Sequence, residues 1–281
     1  MDGDAGLFTP DSVTWHLHGD PVMWIAGIRA LYLQALLPRA VRGVMENSDF
    51  RSDAWGRLMR TANYVRTTIY GTTEDAERAG ARVRKIHSML GATDPDTGER
   101  YGVDEPGLLL WVHCAEIDSY LHVARRSGIP LTDAQADRYV AEQRARARLV
   151  GLDTHAVPGD RAALAAYFES VRPLLAVGAD ARAVDDFLLR PSTHPLLIPA
   201  REVLWRRVAH LAYASLPPYA HALYGRPAPE PAVVTRRLRA TGTLLRCVPA
   251  RLRWQLPPKH ILDAIVRLGP DARPAPYKVG R

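Results

Sequence analysis

EPGLLLWVHCAEIDSYLHVARRSGIP, residues 105–130, is the stretch on which the fold class turns. Glu105-Pro106 suits a helix start, because proline at the first helical position loses only an N–H that has no partner there anyway. Gly128 and Pro130 stop the run near Arg126. About twenty residues between those signals exceed the usual strand several-fold. Within them His113 shares a face with Leu109, Glu116, Ile117 and Tyr120. His122 lies about 180° away, so a straight helix cannot bring both histidines to one metal.

The same grammar extends outward. Asp20-Pro21 opens an apolar helix through Trp24, Ile28, Leu31 and Ala35, and Pro38 opens a second, shorter one. Asp53 caps a helix that runs to Tyr70 and stops at Gly71. Thr73 with Glu74 and Asp75 starts another, ending near Leu90-Gly91. Asp94-Pro95-Asp96-Thr97-Gly98 is a turn cluster between two short strands or loop arms near 91–104. Thr132-Asp133 caps a helix predicted to run unbroken to Leu149. Further helical stretches fall near 160–175, 180–189, 197–214, 231–246 and 258–268. With no sustained alternation, no repeat and no βαβ order, the expected class is all-α.

The chain has 281 residues, 47% hydrophobic and 24% charged, an ordinary globular balance. Two cysteines, Cys114 and Cys247, build neither a disulfide framework nor a thiolate zinc site. The best apolar run, Val22 to Leu37, is broken by Arg29 and Gln34 and is too short to span a bilayer. Met-Asp-Gly-Asp lacks the basic start of a signal peptide, so a cytoplasmic protein is expected. The net charge is +7, unevenly spread. From Pro231 to Arg281 eleven basic residues face two acids, a net +9, while the other 230 residues carry −2. This suggests a body, 1–225, and a basic helical extension, 226–281, packed on it or peripheral to it, with Arg226 to Pro231 as the loop between. The extension, with Leu238, Leu244, Leu245, Leu252 and Trp254 interleaved, is either a solvated surface or a contact for an anionic membrane, making the protein peripheral to it. No helix-turn-helix signature accompanies it, and nucleic acid is not expected as a partner.

Dinucleotide and P-loop fingerprints, the G-x-S-x-G elbow and H-E-x-x-H are absent. His16-x-His18 fits a turn cap better than a metal clip. What remains is isolated histidines on apolar helical stripes, as a haem pocket in a helical protein requires. On the helix from Asp53, Leu58, Met59, Ala62, Val65 and Ile69 share one side, while Arg57, Arg60, Thr61, Tyr64 and Thr68 share the other. That second stripe is either a solvated face or a buried polar wall turned to a ligand. On the next helix Gly80, Val83, His87 and Leu90 share a stripe. Gly80 can leave room for a flat ring, and Arg84, one turn before His87, can hold a carboxylate bidentately. His113 has Glu116 one turn on, and its structural partner is either that carboxylate or a backbone carbonyl.

Several short strings stand in a telling order: His18-Gly19-Asp20-Pro21, the run Ala30 to Pro38, Arg57-Leu58-Met59-Arg60-Thr61, Ile69-Tyr70-Gly71, Val83-x-x-Ile86-His87, Tyr101 to Pro106, and Leu110-Trp111-Val112-His113. Over about residues 15–215 the chain resembles the family of latex-clearing protein, a rubber oxygenase, and the oxygenase MpaB. The resemblance implies a globin-like bundle around one haem b, and dioxygen-dependent cleavage or oxidation of an apolar, isoprenoid substrate. It implies His87 as the proximal iron ligand and Arg57 and Thr61 as the Arg-x-x-x-Thr signature beside the haem. Tested members can place a lysine on the iron at the position that is Arg60 here. A guanidinium has no lone pair to give, so Arg60 departs from that pattern. In this reading Arg57, Arg60 and Thr61 stabilise charge developing on oxygen, Arg84 holds a propionate, and His113 supports the cofactor. Two other readings remain open: a haem binder or sensor without catalysis, and a helical regulatory protein using its basic tail.

Overall fold

The computed structural model describes residues 3–48, 53–191, 204–255, 259–276 and 279, with backbone only at 54 and 55. The helices are α1 (Val13–His18), α2 (Met23–Gln34), α3 (Pro38–Asn47), α4 (Ala54–Tyr70), α5 (Thr73–His87), α6 (Pro106–Arg126), α7 (Asp133–Glu142), α8 (Arg144–Leu149), α9 (Arg161–Val171) and α10 (Ala179–Leu189). They continue with α11 (Arg206–Ala214), α12 (Pro218–Tyr224), α13 (Pro231–Cys247), α14 (Ala250–Arg253) and α15 (His260–Leu268). Strands β1 (Gly91–Thr93) and β2 (Arg100–Gly102) pair antiparallel, with Ala92 opposite Tyr101. The all-α class and the hairpin near 91–104 are therefore both present. The part of the expected 197–214 helix before residue 204 lies outside the described residues.

The caps follow the sequence closely. Asp53 accepts from the Gly56 N–H at 3.0 Å at the start of α4. Thr72, one residue earlier than expected, forms a capping box with Asp75 at the start of α5. Gly98, at φ 74°, closes the hairpin turn, donating its N–H to the Asp94 carbonyl at 2.9 Å.

Two expectations need correction. The run from Asp133 to Leu149 is not one helix, because it breaks at Gln143. There the side chain turns inward, donating to Thr14 Oγ1 at 2.8 Å and accepting from Arg146 Nη1 at 3.1 Å. His16 and His18 end a helix rather than capping a turn, and they face different partners. His18 Nε2 meets the Tyr139 hydroxyl at 3.1 Å, and His16 Nδ1 accepts from the Ala275 N–H at 3.1 Å.

Helix α6 packs along α2, and this pair centres the main core, with α11 against α2 and α13 against both α6 and α11. Arg29, which interrupts the apolar run of α2, is buried but paired: Nη1 donates to Asp118 at 2.7 Å and to Ser119 Oγ at 2.7 Å. A second core joins Trp15, Val65, Ile69 and Tyr70 to Ile261, Ala264 and Ala272. The basic tail is thus packed on the body at both ends. Val234 and Leu238 of α13 are buried, Arg246 bonds Asp20 at 2.7 Å, and the Trp15 indole donates to the Ala272 carbonyl at 2.7 Å. Among the described residues no helix is long and apolar enough to cross a membrane.

Candidate functional site

Helices α4 and α5 form an adjacent pair. Arg57 Nη1 donates to Ser48 Oγ at 2.9 Å, and neighbouring Asn47 donates to the Gly91 carbonyl at 2.8 Å. Gly91 pairs with Gly102, four residues before α6 begins. The first turn of α4, the last turn of α5, the hairpin and the first turn of α6 therefore meet at one end of the bundle. From that end α4 and α6 both run inward.

At the inner end they are tied together by Arg146 of α8. Its Nε donates to Thr68 Oγ1 of α4 at 3.3 Å, Nη1 to Gln143 Oε1 at 3.1 Å, and Nη2 to Glu116 Oε1 of α6 at 3.0 Å. Burial opposes the charge of Arg146, but Glu116, Tyr120 and Tyr64 more than offset this and hold its pKa above the usual arginine value. A buried cation persists only when paired and hydrogen-bonded, and every nitrogen of this guanidinium has a partner.

Three side-chain atoms on these helices are buried without a hydrogen-bond partner: the Tyr64 hydroxyl on α4, His87 Nδ1 on α5 and His113 Nε2 on α6. His113 is 5% exposed. Burial, reinforced by Arg146, drives its pKa down to about 3, while hydrogen bonding to the Gln143 backbone acts the other way. Burial also lowers the pKa of His87, against the pull of Asp104. Both imidazoles therefore favour the neutral form, the form that has a lone pair to give. Burial lowers the Arg57 pKa as well, with the like charge of Arg60 adding to it.

The polar stripe of α4 is neither a fully solvated face nor a fully buried wall. It passes from exposed Arg60 and Thr61 through half-buried Arg57 and Tyr64 to buried Thr68. Arg60 bonds Asp53, the cap of its own helix, at 2.9 Å, and Thr61 Oγ1 donates to the Arg57 carbonyl at 3.2 Å. Arg84 is exposed, and its Nη1 donates to the Leu149 carbonyl at 2.6 Å. The space beside Gly80 is filled by α8: a Cβ there would stand 2.8 Å from the Leu149 carbonyl oxygen. Gly80 thus serves helix packing and leaves no room for a flat ring. Of the two partners expected for His113, Glu116 pairs with Arg146 instead, and the Gln143 backbone is the one that serves it. Thr68, Gln143 and Arg146 were not among the expected site residues. Their signal is a polar stripe on α4 and a buried glutamine–arginine pair three residues apart.

The family model for "ER-bound oxygenase mpaB/B'/Rubber oxygenase, catalytic domain" matches residues 15–247. The chain belongs to that oxygenase family. The match covers α2 to α6 and runs through α13, past the loop at 226–231, but ends before α15, which packs on α4. Searches of the curated proteins and of the solved structures return no match. Membership makes the chain an oxidoreductase of oxygenase type and implies dioxygen and a small-molecule substrate.

Proposed function

We propose that the protein is a haem b-dependent oxygenase that uses dioxygen to cleave or oxidise an apolar, isoprenoid substrate, with its site between α4, α5 and α6. The observation that carries this reading is that α4, α5 and α6 each carry a buried polar atom without a hydrogen-bond partner, two of them imidazole nitrogens. An imidazole on each of α5 and α6, beside an arginine and hydroxyls on α4, is a donor set suited to a group that brings its own equatorial ligands. His87 would hold the iron, and Arg84 reaches the rim if it releases the Leu149 carbonyl. When bound, the haem supplies the redox chemistry with dioxygen.

The chain's own residues do the rest. Arg57 places a half-buried positive charge at the hairpin end, where it can stabilise negative charge developing on oxygen. Thr61 offers a hydroxyl one turn further in. The paired Arg146–Glu116 floor closes the inner end without leaving a free charge there. A haem binder without catalysis is the second reading, favoured by the engagement of Arg60 with Asp53 and of Arg84 with Leu149. Protein purified after expression with ample haem should show a Soret band and consume oxygen with squalene. Arg57→Ala should keep the band and lose on the order of 10²–10³ in rate. No Soret band defeats the haem reading; a Soret band with no oxygen uptake on any apolar alkene favours the binder. For the α13–α14 surface, contact with an anionic membrane is supported by exposed Leu244 and Leu252 near Arg237 and Arg251.

A further inference from the structure

The cross-link Thr68–Arg146–Glu116 fixes the relative level of α4 and α6. Tyr64 precedes Thr68 by four residues and His113 precedes Glu116 by three, so each stands one turn back on its helix. Both helices start at the hairpin end, so one turn back is the same direction on each. The Tyr64 hydroxyl and His113 Nε2 therefore lie on the same side of the cross-link, both buried and both unpartnered. Both also feel the charge of Arg146. That charge is already paired, so these two atoms need a neutral partner.

Their chemistry is complementary. A tyrosine hydroxyl can donate, and a neutral imidazole nitrogen without a proton can only accept. A group that satisfies both must accept one hydrogen bond and donate another through the same oxygen. We propose that Tyr64 and His113 form a polar seat at the inner end of the site, holding the hydroxyl of an otherwise apolar alcohol substrate. This rests on the oxygenase reading and narrows its substrate class from hydrocarbons to long-chain alcohols. The alcohol oxygen accepts from Tyr64, its proton goes to His113 Nε2, and the apolar chain extends toward the hairpin end. A pure hydrocarbon would leave both buried atoms unpaired, which is why a seat of this kind discriminates strongly against it.

The test uses the full-length protein with its Soret band recorded. Farnesol and farnesene, a prenyl alcohol and a hydrocarbon of the same chain length, are titrated while tryptophan fluorescence is followed. Farnesol should bind at least about tenfold more tightly, the worth of one or two buried hydrogen bonds. Tyr64→Phe removes a single oxygen and should collapse the preference to within about twofold with the Soret band unchanged. His113→Leu should do the same. Equal binding of the two probes, no saturable binding of farnesol, or a preference that survives Tyr64→Phe overturns the proposal and leaves the seat to water. Because fluorescence reads the alcohol preference independently of haem, a missing Soret band defeats the cofactor reading and not this one.

Discussion

His87 and His113 are both drawn toward the neutral form, but they sit at different depths. His87 stands in the last turn of α5, half-buried near Asp104, whereas His113 is enclosed beside Arg146. His87→Ala should lose haem or hold it only weakly, with recovery on adding imidazole, while His113→Ala should keep the native Soret position. Absorption spectra of the two variants decide it, and the reverse pattern would move the iron ligand to His113. The sequence made both histidines visible through their apolar neighbours. Of the two partners it offered for His113, the backbone one is used, through Gln143, and Glu116 is not, because helical spacing reports only neighbours on the same helix. The carboxylate is taken by an arginine from α8, thirty residues further along the chain.

At the scale of elements, the packing of α5 on α8 depends on a missing side chain. Gly80→Ala should raise helix propensity by about 1 kcal/mol, yet it drives a methyl against the Leu149 backbone. Overpacking of this kind costs about 1–3 kcal/mol, so calorimetry should show a net drop in melting temperature. A stabilised variant would mean that α5 and α8 can separate freely. The tail offers a second contrast. Leu238 on α13 is 0% exposed, whereas Leu244 and Leu252 are 71% and 63% exposed. Leu238→Ala should therefore cost about 2–5 kcal/mol in urea denaturation. Leu244→Glu with Leu252→Glu should change stability by no more than about 0.5 kcal/mol per site. The same double variant should sediment less with anionic vesicles; unchanged recovery would remove the membrane-surface reading. Deleting the tail would test neither point, because α13 and α15 are part of the cores.

For the molecule as a whole, buried histidines govern the response to acid. His113 titrates near 3 in the folded chain against an ordinary 6.5, and burial also holds His18 and His122 well below that value. The unfolded chain then binds protons first, so the contribution of His113 to stability is complete above about pH 6.5 and is lost as pH falls toward 3, while His18 and His122 also lose theirs on acidification below 6.5. Each such histidine adds a slope of up to ~1.4 kcal/mol per pH unit in that window. Urea denaturation at pH 7 and pH 5 should show a marked loss on acidification, smaller in His113→Leu; equal slopes would mean that His113 is protonated in the fold. Local signals in the sequence determined the helices, because caps, prolines and 3.6-residue periodicity act within a few residues: Asp53 and Pro106 mark starts that the fold keeps, and the start expected at Thr73 is capped one residue earlier. The same signals picked out Arg57, Tyr64, His87 and His113 as residues worth placing. Only the tertiary structure decided how they are used. The break at Gln143, the filling of the space beside Gly80 and the capture of Glu116 by Arg146 each arise from contacts between helices distant in sequence. Periodicity gives a side chain's direction about its own axis, and what it meets there depends on which other helix the core brings to that side.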